Sequence, residues 1–178
     1  DENRRGGFEH GGWALPYNDA VMAERMGQGM AQGGSLLLGR RTYEDFYRVW
    51  PSRTGNPYTE VLNNTQKYVA SATLTEPLPW ANSTLLAGDA MEAVAKLRER
   101  PGKDLVILGS GVLIGSLVRH NLIDEFVLLI HPLVLGSGHR LFPDGVSLAL
   151  RLADSVTTTT GVVIATYQPA EPAPPKTA

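Results

Sequence analysis

Two short glycine-containing turns could bind an anion. Residues 109–111 (Gly-Ser-Gly) follow the apolar run 105–108, and residues 39–42 (Gly-Arg-Arg-Thr) follow the apolar run 36–38. Glycine has no Cβ, so backbone N–H groups in such turns can approach a ligand closely. A helical pattern follows each turn, and the N-terminus of a helix attracts negative charge. The first turn therefore suits a pyrophosphate, and a tight turn selected only for packing is the alternative.

The second turn adds two guanidinium groups. Arg40 and Arg41 precede Thr42 at the predicted start of a helix. Arginine binds phosphate through two parallel hydrogen bonds, which lysine cannot do. A pair of arginines at a helix N-terminus opposes the helix dipole. A bound anion explains their position better than a solvated charge pair does.

Several other kinds of site are excluded by spacing. A dinucleotide fingerprint of the Rossmann type would need a third glycine at Ile114. No Gly-Lys-Ser/Thr follows the turns, and a Gly-x-Ser-x-Gly nucleophile elbow does not occur there. His131 and His139 lack the spacing and the acidic neighbours of a metal site, so no metal is predicted. Ser71 ends a predicted strand, which is an ordinary place for a serine.

The composition limits the classes of partner. The chain has 178 residues, 16 basic and 18 acidic side chains, a net charge of −2 and no cysteine. This charge argues against nucleic-acid binding, and no apolar run is long enough for a membrane span. Without cysteine there are no disulfides, which fits the cytoplasm. We expect a single domain over residues 1–168, a disordered Pro/Ala-rich tail at 169–178 and a small-molecule substrate.

Periodicity places these turns in an α/β fold. The expected helices cover residues 18–30, 42–49, 56–64, 89–100 (with Asp89 as N-cap and Glu92 at capping-box spacing) and 112–121. The expected strands cover residues 35–38, 67–71, 84–87, 105–108, 126–135 across Pro132, and 148–152, before a hairpin at 156–168. This order predicts a mainly parallel sheet with a terminal antiparallel hairpin. Ligands of such sheets bind beyond the carboxyl ends of the strands.

Several segments resemble one superfamily. Residues 36–44 (LLLGRRTYE) and 107–111 (ILGSG) resemble a strand with the following helix start and the cofactor turn of dihydrofolate reductases. Residues 122–126, 132–138 and 141–142 resemble the reductase domain of riboflavin biosynthesis, which has the same fold. The resemblance covers about residues 13–168. It implies a three-layer α/β/α fold of the dihydrofolate reductase type.

The resemblance also implies a reaction. It is hydride transfer from NADPH to a small heterocycle, and 5-amino-6-(5-phosphoribosylamino)uracil is the leading substrate. Arg40, Arg41 and Thr42 would then hold the 2′-phosphate and the pyrophosphate, and Ser71 would lie near the adenosine phosphate. The implied cofactor-binding residues are Gly39, Arg40, Arg41, Thr42, Ser71, Gly109, Ser110, Gly111, Val112 and Leu113. The alternatives are dihydrofolate reductase activity, a non-catalytic nucleotide-binding protein, and another α/β enzyme whose substrate is phosphorylated.

The beginning of the chain departs from that family. Residues 13–16 resemble the segment before the folate-binding helix, so Trp13 and Leu15 are predicted to line the substrate pocket. The family's catalytic acid aligns with Asn18, which is not an acid; Asp19 is the neighbouring candidate, and an N-cap role is its alternative. Residues 1–12 do not match the family's first strand, so we expect a preceding stretch. The apolar run 126–135 and the hairpin favour a homodimer.

Overall fold

The computed structural model describes residues 7–31 and 34–170. They form two compact units. One contains the chain up to Gln28 together with the chain from Ile123 onward, and the other contains Gly29–Leu122. The expected single domain over residues 1–168 stays a prediction. The last strand runs to Pro169, inside the predicted tail, and residues 171–178 lie outside the described part.

The unit Gly29–Leu122 is built on a parallel sheet. Its strands are β1 (Ser35–Gly39), β2 (Lys67–Ala70), β3 (Ser83–Leu86) and β4 (Leu105–Ile107). Their order is β3-β2-β1-β4, and every neighbouring pair is parallel. Leu36, Leu37 and Leu38 are all buried. A continuous apolar run rather than an alternating one is what a central parallel strand requires, because both of its faces are covered.

Three helices lie between these strands in the chain, and a fourth follows the last strand. They are α2 (Arg40–Val49), α3 (Pro57–Asn64), α4 (Ala90–Arg98) and α5 (Gly111–Arg119). Asp89 caps α4 by accepting hydrogen bonds from the N–H groups of Met91 and Glu92, as its position predicted. The carboxylate of Glu92 accepts a hydrogen bond from Lys96, so this pair adds an i,i+4 contact to the cap.

The other unit contains an antiparallel sheet and one long helix. Helix α1 (Ala20–Ala31) follows a 3-10 turn at Leu15–Tyr17, and its residues up to Gln28 belong to this unit. The strands β5 (Phe126–Ile130), β6 (Leu150–Thr157) and β7 (Val163–Pro169) pair in the order β5-β7-β6. Met22 of α1 packs with Val162 and Ile164 in the core of this unit.

The α/β fold class is confirmed, with two local corrections. The strand predicted across Pro132 to residue 135 is wrong: β5 ends at Ile130, which pairs with Val163, the first residue of β7. Proline has no N–H to donate to a ladder and no partner residue remains beyond this pair, so the chain leaves the sheet. The segments predicted separately at 148–152 and from 156 belong to one strand, β6, with an irregularity between Leu152 and Asp154.

None of the helices in the described ranges is long and apolar enough to cross a membrane.

Candidate functional site

The two glycine turns lie at the point where the strand order of the parallel sheet reverses. From β1 the chain continues to β2 and β3 on one side, and it then returns to place β4 on the other side. Gly39 ends β1, and residues 109–111 follow β4. The carboxyl ends of the two strands flanking such a reversal form the crevice in which α/β proteins bind ligands. Topology therefore brings together two turns that are 70 residues apart in the sequence.

Hydrogen bonds join the two turns directly. The N–H of Gly39 donates to Ser110 Oγ at 3.0 Å, and the N–H of Ser110 donates to Thr42 Oγ1 at 3.1 Å. Ser110 Oγ in turn lies 3.3 Å from the carbonyl oxygen of Leu108, to which it donates. The turn at residues 39–42 and the turn at residues 109–111 therefore lie side by side.

Glycine at position 109 has a conformational reason. Gly109 has φ +61°, in the left-handed region that favours glycine, and an added Cβ would lie 3.4 Å from Thr42 Cγ2. Gly111 differs, because a Cβ there would meet nothing within 4 Å. The space beside the start of α5 is open, and this is the room that a ligand on its N–H groups requires.

The N-termini of α2 and α5 both lack acidic residues. Neither helix has an acidic residue in its first turn or a side chain that caps it. The first N–H groups of a helix have no partner within it and carry a partial positive charge of about half an elementary charge. Val112 in this turn is 85% exposed, whereas the side chain of Leu113 is buried. Leu113 can therefore offer its N–H group rather than its side chain to a ligand.

The guanidinium groups of Arg40 and Arg41 add positive charge here. Both residues are exposed. No ion pair of either arginine occurs among residues 7–31 and 34–170. Two unpaired guanidinium groups and two uncapped helix N-termini form a donor set that suits a phosphate-bearing ligand.

Ser71 follows β2 at the same edge of the sheet. Its Oγ accepts hydrogen bonds from the N–H groups of Thr73 (3.1 Å) and Leu74 (3.0 Å). The hydroxyl therefore shapes the turn after β2, and it also lies 3.5 Å from the hydroxyl of Thr73. The hydrogen bonds of Ser71 show a local structural role, and its place near an adenosine phosphate stays a prediction.

The predicted substrate-pocket residues lie in the other unit. The ring of Trp13 packs edge-on against His131 at 4.7 Å between centroids, and Tyr17 does so at 5.4 Å. Leu15 is 52% exposed. Sequence reasoning missed Tyr17 and placed His131 in a strand, although His131 lies one residue beyond β5. The spacing of Trp13 and Tyr17 just before a helix was the available signal.

Asp19 is held by hydrogen bonds that suit a structural carboxylate. Its Oδ1 accepts from the N–H of Met22 at 2.8 Å, which caps α1. Its Oδ2 accepts from the hydroxyl and the N–H of Thr159, both at 2.6 Å, and from the N–H of Thr160 at 3.3 Å. These bonds, chiefly that of the Thr159 hydroxyl, lower the pKa of Asp19 to about 2. An acid this strong stays ionised at neutral pH, so the geometry favours the N-cap interpretation over a proton donor.

No group of three or more metal-binding side chains occurs among the residues that the structure describes.

Solved structures of known proteins resemble this fold. A solved structure of a putative riboflavin biosynthesis protein from Shewanella sp. PV-4 superposes with a TM-score of 0.67 and 25% identity, covering 86% of this chain and 81% of that one. Dihydrofolate reductase from Enterococcus faecalis, solved with NADP(H) and RAB-propyl, superposes with a TM-score of 0.58 and 16% identity over 88% and 85% of the two chains. The second likeness shows the fold alone. The chain is thus an α/β protein of the dihydrofolate reductase-like class.

The family follows from the sequence comparison. The model of the RibD C-terminal domain matches residues 9–164. The uncharacterized protein YyaP of Bacillus subtilis is 34% identical over 140 residues, which is 75% of this chain and 72% of YyaP. The chain belongs to the RibD C-terminal domain family, within a reductase-type superfamily.

Proposed function

We propose that this protein is an NADPH-dependent reductase that acts on a small heterocyclic substrate. The observation that carries the proposal is the pair of uncapped helix N-termini at the strand-order reversal, beside Arg40 and Arg41. NADPH has a pyrophosphate and a separate 2′-phosphate, and this donor set offers helix N–H groups for one and guanidinium groups for the other.

Each part of the donor set has a role in this proposal. The N–H groups of Gly111, Val112 and Leu113 bind the pyrophosphate, and Arg40 and Arg41 bind the 2′-phosphate. The bound nicotinamide supplies the hydride, and the protein contributes binding and orientation. NADPH is favoured over NADH because its additional 2′-phosphate matches the positive charges of Arg40 and Arg41.

The substrate class rests on the family and on the aromatic segment before α1. The Shewanella relative is described as a putative riboflavin biosynthesis protein, which supports a ribosylaminopyrimidine such as 5-amino-6-(5-phosphoribosylamino)uracil. Trp13 and Tyr17 offer aromatic rings of the kind that pack against a heterocycle. Reduction of dihydrofolate is disfavoured, because Asn18 is not an acid and Asp19 is held ionised.

The same carboxylate favours a second candidate, a protein that binds NADPH without reducing a substrate. Asp19 has four hydrogen-bond donors within 3.3 Å. A group so engaged cannot serve as the proton source that a reductase of the folate type uses. The two candidates differ in turnover, and both require NADPH binding.

Calorimetric titration with NADPH and NADH tests the proposal. We expect Arg40→Ala to weaken NADPH binding by about 10- to 100-fold, the effect of a lost charge-assisted contact, and to leave NADH binding nearly unchanged. Arg119→Ala is the matched control, since this exposed arginine lies at the opposite end of α5. Binding of neither nucleotide by the wild type would refute the cofactor assignment. Oxidation of NADPH with the pyrimidine substrate separates the reductase from the binding protein.

A further inference from the structure

Ser110 has an unusual conformation for the residue before a helix. A serine at the N-cap normally accepts a hydrogen bond from the second or third N–H group of its own helix. Ser110 makes no such bond to α5. Its φ is +57°, in the left-handed region that residues other than glycine rarely adopt. Such a conformation persists where the surroundings impose it.

The surroundings here are the other turn. Ser110 Oγ accepts from the N–H of Gly39, and the N–H of Ser110 donates to Thr42 Oγ1. The hydroxyl proton is directed to the carbonyl of Leu108 at 3.3 Å. A hydroxyl has one proton to donate, so its donor and one of its acceptor sites are in use. Both the backbone and the side chain of Ser110 thus connect the end of β4 to the start of α2.

This arrangement has two consequences for a nucleotide. Since the hydroxyl of Ser110 turns towards Gly39, it does not cover the first N–H groups of α5, which stay available to a pyrophosphate. The same bonds fix the start of α2, which carries Arg40 and Arg41, relative to those N–H groups. A ligand that has both a pyrophosphate and a separate phosphate binds most tightly when the two turns are held at the spacing of these groups.

We propose that Ser110 is a positioning residue that fixes the Arg40–Thr42 turn relative to the N-terminus of α5, and so sets the preference for NADPH over NADH. The inference rests on the proposed function and deepens it. If these hydrogen bonds only stabilised the fold, removing them would weaken the binding of NADPH and of NADH equally. A positioning role predicts that the preference falls although Arg40 and Arg41 are intact, because the 2′-phosphate is the group that distinguishes NADPH.

The experiment measures NADPH and NADH affinity by calorimetry, and thermal stability, for Ser110→Ala and Ser110→Gly. Both variants remove the hydroxyl, and Ser110→Gly also relieves the left-handed backbone. We expect the ratio of NADPH to NADH affinity to fall on the order of fivefold in both, the effect of one broken interaction between neighbouring groups. Ser116→Ala is the control: this hydroxyl lies on the same helix and bonds to Val112 of its own helix. It should leave the ratio unchanged.

Thr42 provides a second check from the other side of the hydrogen bond. Thr42→Val removes the oxygen that accepts from Ser110, and Thr42→Ser keeps it. Thr42→Val should lower the ratio of NADPH to NADH affinity as Ser110→Ala does, and Thr42→Ser should keep the wild-type ratio. A wild-type ratio in Ser110→Ala, Ser110→Gly and Thr42→Val overturns this inference alone. A wild type that binds neither nucleotide overturns the proposed function, and this inference with it.

Discussion

Lys67 is the clearest point at which a single substitution tests the energetics of this fold. Its side chain is fully buried, at 0% exposure, in strand β2. Its Nζ donates to the carbonyl oxygens of Leu62 (2.7 Å), Asn63 (3.3 Å) and Thr65 (2.6 Å), at the C-terminus of α3. It also lies 4.6 Å from the ring centroid of Trp80. The last carbonyls of a helix lack partners within it, and a cation there is favourable.

Lys67→Met removes the ammonium group and keeps an unbranched side chain of similar length. Asn63 keeps a donor, since its carbonyl also accepts from Asn82 Nδ2 at 3.0 Å. The carbonyls of Leu62 and Thr65 lose the bonds from Nζ. Leaving the buried carbonyl of Leu62 without this donor costs about 1–3 kcal/mol, and the partly buried carbonyl of Thr65 adds a smaller cost. Removing a buried charge offsets part of this. We expect a net loss of about 1–3 kcal/mol of unfolding free energy at pH 7.

Urea unfolding followed by tryptophan fluorescence measures this loss. The exposed Lys103 provides the control: Lys103→Met should change the free energy of unfolding by no more than about 0.5 kcal/mol.

The pH dependence of stability gives a second test. Desolvation by burial lowers the pKa of Lys67 from 10.5 to about 8. Between these values the unfolded chain binds more protons than the folded protein, so Lys67 makes stability rise with pH across this window. The free energy of unfolding of the wild type should therefore rise relative to that of Lys67→Met from pH 8 to 10.5.

Either of two results would refute this reasoning. If Lys67→Met matched or exceeded the wild type in stability at pH 7, the carbonyls of α3 would not need the ammonium group. If the difference between the two proteins stayed constant above pH 8, the burial of the charge would not govern the pKa.

Two further predictions concern the backbone contact before β1 and the carboxylate before α1. Gly34→Ala should cost about 1–3 kcal/mol in urea unfolding, because its Cβ would lie 2.3 Å from the carbonyl oxygen of Asp104; Gly102→Ala, whose Cβ meets nothing within 4 Å, is the control, and equal stability of the two variants would contradict the prediction. Asp19→Asn should lower Tm at neutral pH. Because the pKa of Asp19 falls from 3.8 to about 2 on folding, its contribution is present above pH 4 and is lost as the pH falls towards 2. Thermal unfolding from pH 2 to 6 checks this, and an unchanged difference between the two proteins across that range would count against it.

Local signals in the sequence were sufficient for most of the regular elements and for the two turns. The apolar run at residues 36–38 and the N-cap at Asp89 each predicted their element within a few residues, because burial on both faces and capping act over neighbouring residues. Glycine at position 109 likewise reports a local φ requirement. The candidate anion-binding residues could be named for the same reason, since each turn directly follows its strand.

Only the tertiary structure decided which groups meet. Ser110 binds Gly39 and Thr42, about 70 residues away, because β1 and β4 are neighbours in the sheet. The pKa of Asp19 is lowered because Thr159 donates to it across 140 residues. A lysine in a strand is normally assigned to solvent, and Lys67 is buried because the end of α3 supplies the carbonyls that its ammonium group requires. The sequence by itself determined most of the elements and the chemical groups at their ends. Contacts between distant segments decided the partners of those groups, and hence their pKa values and their roles.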